Sequence, residues 1–347
     1  MSSLDNYEII PATVTHIRHR SECIPYYDAF YSEEQGGWCL AGAHLPIFVA
    51  PMASIINEYN YLKFDENGLN PIVPRTVPLN RRLEILTQSI WVAMGLDEFK
   101  AFCASQDKLE QEIYICVDVA NGHMQELIDI CADAKTKFGS NLILMTGNIA
   151  NHQTYFTYAK AGIDYIRCGI GGGSVCSTAY LSGIHCSADQ LLAMLVLDKY
   201  EVTRNLGDYK SVPKIVMDGG INSIRQIIIA LAMGADYVMC GQLFAQCEEA
   251  CSKEVIIDGI RHREYYGMST QRAQKEMGNT KLKHSEGVEK FVPIKYHLNE
   301  WVEEFTSTIC STMAYCDSTL LTSFVGGVKV QRASVGEYES YEKSKFL

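Results

Sequence analysis

The chain has 347 residues, with 30 Lys and Arg against 41 Asp and Glu, a formal charge of −11. That balance excludes the basic stripe a nucleic-acid partner needs, though not a local basic pocket for a phosphate. Hydrophobic residues at 47% and charged ones at 20% suit a folded globular chain of one large domain or two ordinary ones, and no apolar run reaches the ~18 residues of a membrane span. Residues 1–20 are polar and hold no signal-peptide core, so the chain is expected in the cytoplasm. The 13 cysteines sit mostly in apolar runs, without Cys-x-x-Cys or His-Glu-x-x-His, which fits reduced thiols rather than a disulfide framework or a zinc site.

In chain order, short apolar runs bounded by Gly, Pro, Asn or Asp fall at 46–50, 71–73, 89–94, 113–119, 141–145, 164–168, 214–217 and 235–240. Continuous runs of this length suit strands buried on both faces, as in a parallel sheet. Helix-like stretches lie between the later ones, at 124–138, 152–161 and 223–233, the last with start signals at Asn222 and Ser223. Eight strands alternating with helices predict an α/β architecture, the (β/α)8 or TIM barrel, with a doubly wound sheet as the alternative. Two segments break the alternation: a Gly-rich loop at 169–183 and a polar stretch at 264–287 beyond the eighth strand. In a barrel the loops after the strands build the active site, and a long one is often a lid.

The Gly-rich loop reads CGIGGGSVCST, Cys168 to Thr178. Its glycines let the backbone approach a ligand closely, offering N–H groups to a phosphate or carbonyls to a cation. Ser174 adds a hydroxyl, Cys176 ends the pliant stretch where a thiol can be exposed, and Thr178 is placed for proton transfer. A flexible turn with an incidental buried cysteine is the plainer reading. KIVMDGGI ends a strand at Asp218, where a carboxylate can accept from ribose hydroxyls, and Gly219–Gly220 can meet phosphate. DYVMCGQLF repeats the strand-then-glycine arrangement at Gly241. Two such turns side by side favour a phosphorylated substrate. Asp118, Asn121 and His123 could suggest a metal set, but His123 reads better as a polar helix-start residue.

These residues resemble the IMP dehydrogenase and GMP reductase family. CGIGGGSVCST, VMDGGI, GADYVMCG and YYGMS carry the likeness, with LPIFVAPM, CVDVANGH and LMTGNI upstream, over roughly residues 7 to 318. The resemblance implies one TIM-barrel domain over 1–347, with an active-site flap at about 264–290 and a C-terminal tail at about 319–347. It implies a purine nucleoside monophosphate as substrate and Cys176 bonding to purine C2 as a thioimidate. Dehydrogenases of the family use an Arg-Tyr pair on the flap to activate water and usually carry a nucleotide-sensing CBS insert. The flap here has Arg272 as its sole arginine and no Arg-Tyr, and 347 residues leave no room for that insert. The implied activity is therefore NADPH-dependent reductive deamination of GMP to IMP and ammonia, with IMP oxidation to XMP by NAD as the alternative.

By the same resemblance Thr178 and Glu286 form the dyad that handles the ammonia proton. Ser174, Asp218, Gly219, Gly220, Gly241 and Gln242 hold phosphate and ribose. Gly267, Met268, Ser269, Lys283, His284, Ser285 and Gly287 cover the base. His19, Arg20, Arg75, Asp118, Val119, Ala120, Ile170, Tyr315, Cys316, Asp317 and Ser318 line the NADPH side. Carbonyls of Gly171, Gly173 and Cys176 coordinate a monovalent cation, K+, in a homotetramer. Departures stand at Arg75, where a lysine is usual, at Gln242 in place of glycine or serine, at Ala179 in place of a basic residue, and in YCDS at 315–318. Arginine does not give up a proton readily, so Arg75 makes a poor proton donor. Tyr338 and Tyr341 suggest a tail packed against another subunit.

Overall fold

A computed structural model describes residues 3–33, 37–278 and 287–333. Eight parallel strands close into a barrel: Ile47–Val49, Asn70–Val73, Trp91–Met94, Ile113–Asp118, Leu142–Ile149, Tyr165–Cys168, Lys214–Asp218 and Tyr237–Cys240. They follow chain order round the barrel, and the eighth closes on the first with Val238 opposite Ile47. Every apolar run noted above becomes a strand. Trp91–Met94 and Tyr237–Cys240 are buried throughout, as strands covered on both faces must be. The fifth strand runs past its apolar run to Ile149, because Thr146, Gly147 and Ile149 keep pairing with the sixth across a register shift.

The three expected helices form as Gln125–Phe138, Thr154–Ala161 and Ile224–Ala232. Ser223 caps the last, its side chain accepting a hydrogen bond from the Gln226 N–H. Four more helices of at least two turns were not singled out by periodicity: Leu79–Leu86, Leu96–Ser105, Ala188–Arg204 and Leu298–Tyr315. Ala188–Arg204 shows why. Leu191, Leu192 and Leu195 are buried while Met194, Leu197 and Tyr200 are exposed, so apolar residues surround the helix and blur its stripe. No helix among the described residues is long and apolar enough to cross a membrane.

Inside the barrel, Phe48, Trp91, Met145, Val216, Tyr237 and Met239 form a buried cluster. The Phe48 ring lies 5.4 Å from Trp91 and 5.0 Å from Tyr237, in edge and tilted contacts that fill the bore. A cavity opens at each end of this plug. One of about 790 Å³ lies at the N-terminal ends of the strands, with Phe48 and Trp91 in its floor. The other, about 600 Å³, lies at the C-terminal ends, where barrel enzymes place their chemistry.

The polar segment read as one flap is, in its described part, a folded base. Ile260–Tyr266 pairs with Glu254–Ile257 on one side and Glu289–Pro293 on the other, and Gln271–Glu276 is a helix capped by Thr270. Period-two polar strands outside the barrel lack the apolar signal that marked the other eight. Within the expected tail, Val330–Arg332 pairs antiparallel with Tyr7–Ile9 of the same chain. Tyr338 and Tyr341 lie outside the described residues.

Candidate active site

The C-terminal cavity gathers residues from nearly every strand end. Ser174, Asp218, Gly219, Gly220, Gly241, Gln242, Gly267, Met268 and Ser269 line it. So do Cys176, Thr178, Gly171, Gly173 and, from the expected cofactor set, Arg75, Asp118, Val119, Ala120 and Ile170. The Gly-rich loop leaves the sixth strand at a point only glycine fits. Gly169 has φ +128°, and a Cβ there would stand 2.1 Å from the Asp218 carbonyl oxygen, so the two strand ends run in backbone contact. His185 Nδ1 lies 2.9 Å from the Ile170 carbonyl and ties the loop down.

Cys176 is the one exposed cysteine of the 13. Burial pushes the thiols of Cys116, Cys131, Cys247 and Cys251 up to about 12, which keeps them protonated and inert. Cys176 escapes that burial. Its Sγ stands 3.3 Å from Thr178 Oγ1, and its backbone bridges Gly287, with Val288 N–H donating to the Val175 carbonyl at 3.0 Å. The reading of an incidental buried cysteine is thereby excluded. Cys247 and Cys251 are simply core and near-core thiols, donating to the carbonyls of Phe244 and Ala53.

A chain of buried charge crosses the floor, and its centre, Arg167, had no role in the sequence reading. Arg167 is 7% exposed, in the sixth strand. It donates to Asp118 Oδ1 at 2.6 Å and to Asp218 Oδ2 at 2.9 Å. Arg75 Nε reaches the other Asp118 oxygen at 3.2 Å, and Asn148 Nδ2 donates to Asp218 Oδ2 at 2.8 Å. Burial pushes the Asp118 carboxyl up, but the Arg167 and Arg75 guanidiniums outweigh it and hold it below the usual range. Burial likewise works against the Arg167 charge, and the Asp218 and Asp118 carboxylates overcome it. The available signal was an arginine inside the buried run DYIRC, since such a residue is almost never buried unpaired. Arg75, the departure from the usual lysine, is thus a salt-bridge partner.

His123 lines the same cavity in neutral form. Its Nε2 accepts from the Ala150 N–H at 3.1 Å, so its proton sits on Nδ1, facing Thr154 Oγ1 at 3.0 Å, and burial lowers its pKa. With both nitrogens used, it is a helix-entry residue. Among the described residues no three His, Cys, Asp or Glu side chains are placed to hold a metal ion.

At the end bounded by Gly219, Gly220 and Gly241, Tyr265 also lines the wall, another residue outside the sequence reading. Burial pushes its phenol pKa up, with a hydrogen bond to Ser174 acting the other way. Lys290 Nζ donates to Gln242 Oε1 at 2.7 Å and stands 5.6 Å from the Tyr265 ring centroid. Burial lowers the Lys290 pKa.

Other expected residues do not reach this cavity. His19 caps a short 3-10 turn, Arg20–Glu22, and Tyr315, Cys316, Asp317 and Ser318 end the helix Leu298–Tyr315. These two sets meet each other through the N-terminal segment. Ala12 N–H donates to the Tyr315 carbonyl, and His16 pairs with Asp317 at 3.1 Å. Lys283, His284, Ser285 and Glu286 lie outside the described residues.

The family model described as IMP dehydrogenase / GMP reductase domain matches residues 92–341. The chain belongs to the IMP dehydrogenase and GMP reductase family. It is 31% identical over 225 residues to the inosine-5'-monophosphate dehydrogenase of Tritrichomonas foetus, covering 63% of this chain and 44% of that one. It is 29% identical over 326 residues to the GMP reductase of Pediococcus pentosaceus, covering 90% of each, and 28% identical over 291 residues to a GMP reductase of Streptococcus pyogenes, covering 80% of this chain. The chain thus spans less than half of the Tritrichomonas foetus relative. The family model starts at Val92, on the third strand, so the likeness seen in LPIFVAPM lies ahead of its span.

Proposed function

We propose that this chain is an oxidoreductase that reductively deaminates GMP to IMP and ammonia with NADPH. The observation that carries the reading is the exposed Cys176 thiol in the wall of a cavity that the glycine turns at Gly219, Gly220 and Gly241 also line. The phosphate sits at Gly219, Gly220 and Gly241, the ribose hydroxyls at Asp218, and the base over Cys176. The sulfur adds to purine C2, and the C2–N bond to the exocyclic amine breaks. Thr178 and Glu286 pass the proton with which ammonia leaves. Bound along Arg75, Asp118, Val119, Ala120 and Ile170, NADPH would supply the hydride that reduces C2, and Cys176 then leaves as thiolate when the C–S bond breaks.

The cofactor side fits that role. Ile170, Val119 and Ala120 give an apolar wall, and Arg75 a cation already neutralised by Asp118. Neutral carbonyls of Gly171, Gly173 and Cys176 suit a weakly hydrated monovalent cation, K+. In a cytoplasmic homotetramer a neighbouring subunit could bring the patch of His19, Arg20, Tyr315, Cys316, Asp317 and Ser318 to the cofactor mouth.

Three observations favour the reductase over the dehydrogenase. The match to the Pediococcus pentosaceus GMP reductase runs over 90% of both chains. The longest connection between barrel strands, 169–213, is too short for a sensing insert. Arg272, the one arginine available to activate water, donates to Glu264 at 2.7 Å and to Glu276 at 3.2 Å. Burial opposes its charge, but those carboxylates hold it protonated, so it is a poor candidate for the base. The test is oxidation of NADPH followed by absorbance with GMP, for the parent and for Cys176→Ala. GMP-dependent oxidation that vanishes in Cys176→Ala supports the proposal. Conversion of IMP to XMP with NAD, without GMP turnover, would establish the dehydrogenase instead.

A further inference from the structure

The departure at Gln242 has a partner, and together they form a unit at the phosphate end. A nucleoside monophosphate brings close to two negative charges into a cavity walled by backbone amides and hydroxyls, over a floor whose charges already pair with one another. A desolvated anion needs a matched countercharge. The guanidiniums lining this cavity, Arg75 and Arg167, are already bound to Asp118 and Asp218 on the cofactor side and floor. At the other end, Gln242 follows Gly241 on the wall, and its side-chain oxygen is held by the Lys290 ammonium at 2.7 Å. Lys290 is half-buried and stands over the face of Tyr265, itself a wall residue. With its oxygen committed to Lys290, the amide of Gln242 is oriented with its two N–H donors free to turn toward an anion.

We infer that Lys290, acting through Gln242, is the specificity-determining positioning residue for the substrate's 5′-phosphate: it fixes the Gln242 amide as a donor and supplies the positive charge behind it. This rests on the proposed function and deepens it, since it names the group that separates nucleotides from nucleosides. Removing the charge weakens nucleotide binding without touching chemistry at C2, far along the substrate. The contact is made equally before and at the transition state, so it shows in KM rather than kcat.

The experiment compares the parent chain with Lys290→Met, which keeps most of the aliphatic stem, and Lys290→Arg, which keeps the charge. Binding of GMP and of guanosine is titrated by calorimetry, and KM and kcat are measured with GMP. The expected result for Lys290→Met is a ten- to hundredfold loss of GMP affinity with guanosine affinity changed less than about twofold, KM raised to match, and kcat nearly constant. Lys290→Arg recovers most of the GMP affinity. Equal losses for GMP and guanosine, or GMP affinity within twofold of the parent, overturn the inference while leaving the proposed function standing. A parent that binds GMP without turning it over overturns the catalytic reading alone. A parent that binds neither GMP nor IMP overturns both.

Discussion

Arg167→Met tests the reasoning about the charged floor. The substitution keeps the apolar stem and removes a guanidinium that bridges two carboxylates at 2.6 and 2.9 Å. Breaking a buried pair by deleting one partner costs roughly 3–5 kcal/mol, and the low end, about 3 kcal/mol, is expected here. Asp118 keeps Arg75 at 3.2 Å, and Asp218 keeps the Asn148 amide at 2.8 Å. The assay is urea denaturation at pH 7 and pH 4. In the parent, Asp118 has a depressed pKa in the fold. Its stabilisation is therefore full above its unfolded pKa of about 3.9 and fades as pH falls through the depressed value. Without Arg167 the burial that opposes the Asp118 charge is less fully offset, so the variant regains stability as acid protonates that carboxyl. The difference between parent and variant should narrow from pH 7 to pH 4. A difference that stays constant, or one below about 1 kcal/mol at pH 7, would refute the electrostatic account.

Two further perturbations probe the scaffold. Gly169→Ala drives a methyl group to 2.1 Å from the Asp218 carbonyl in a backbone conformation that L side chains rarely adopt; it should cost more than about 3 kcal/mol, read as a fall in melting temperature with loss of nucleotide binding, and an unchanged melt would contradict the packing. Ser223→Ala removes the cap of Ile224–Ala232 and should cost about 1 kcal/mol in urea, with Ser223→Asp restoring it.

The barrel was legible because its strands are continuous apolar runs punctuated by turn residues, a pattern set by burial on both faces. The helices were less so. Ala188–Arg204 carries apolar residues on its outer side as well, so no stripe stands out. At the site, the glycine turns and Cys176 could be read because glycine and an out-of-strand thiol are marked by residue type. The arginine in DYIRC signalled a buried pair, but the partners did not show, because they lie far away in sequence: Arg167 acts through Asp118, 49 residues off, and Asn148 through Asp218, 70 residues off. Such pairings are made by the curvature of the barrel. The polar strands after the eighth escaped notice because they bury little and alternate weakly, as Ile260–Tyr266 shows with its exposed start and buried end.

The rings of Phe48, Trp91 and Tyr237 wedged in the bore make the barrel a vessel with a floor. The cavity at the far end shares no lining residue with the one beside Cys176, so the bore gives that thiol no route through the barrel. The opposite bowl, cut off from that thiol, is at liberty to change its lining without disturbing what happens above.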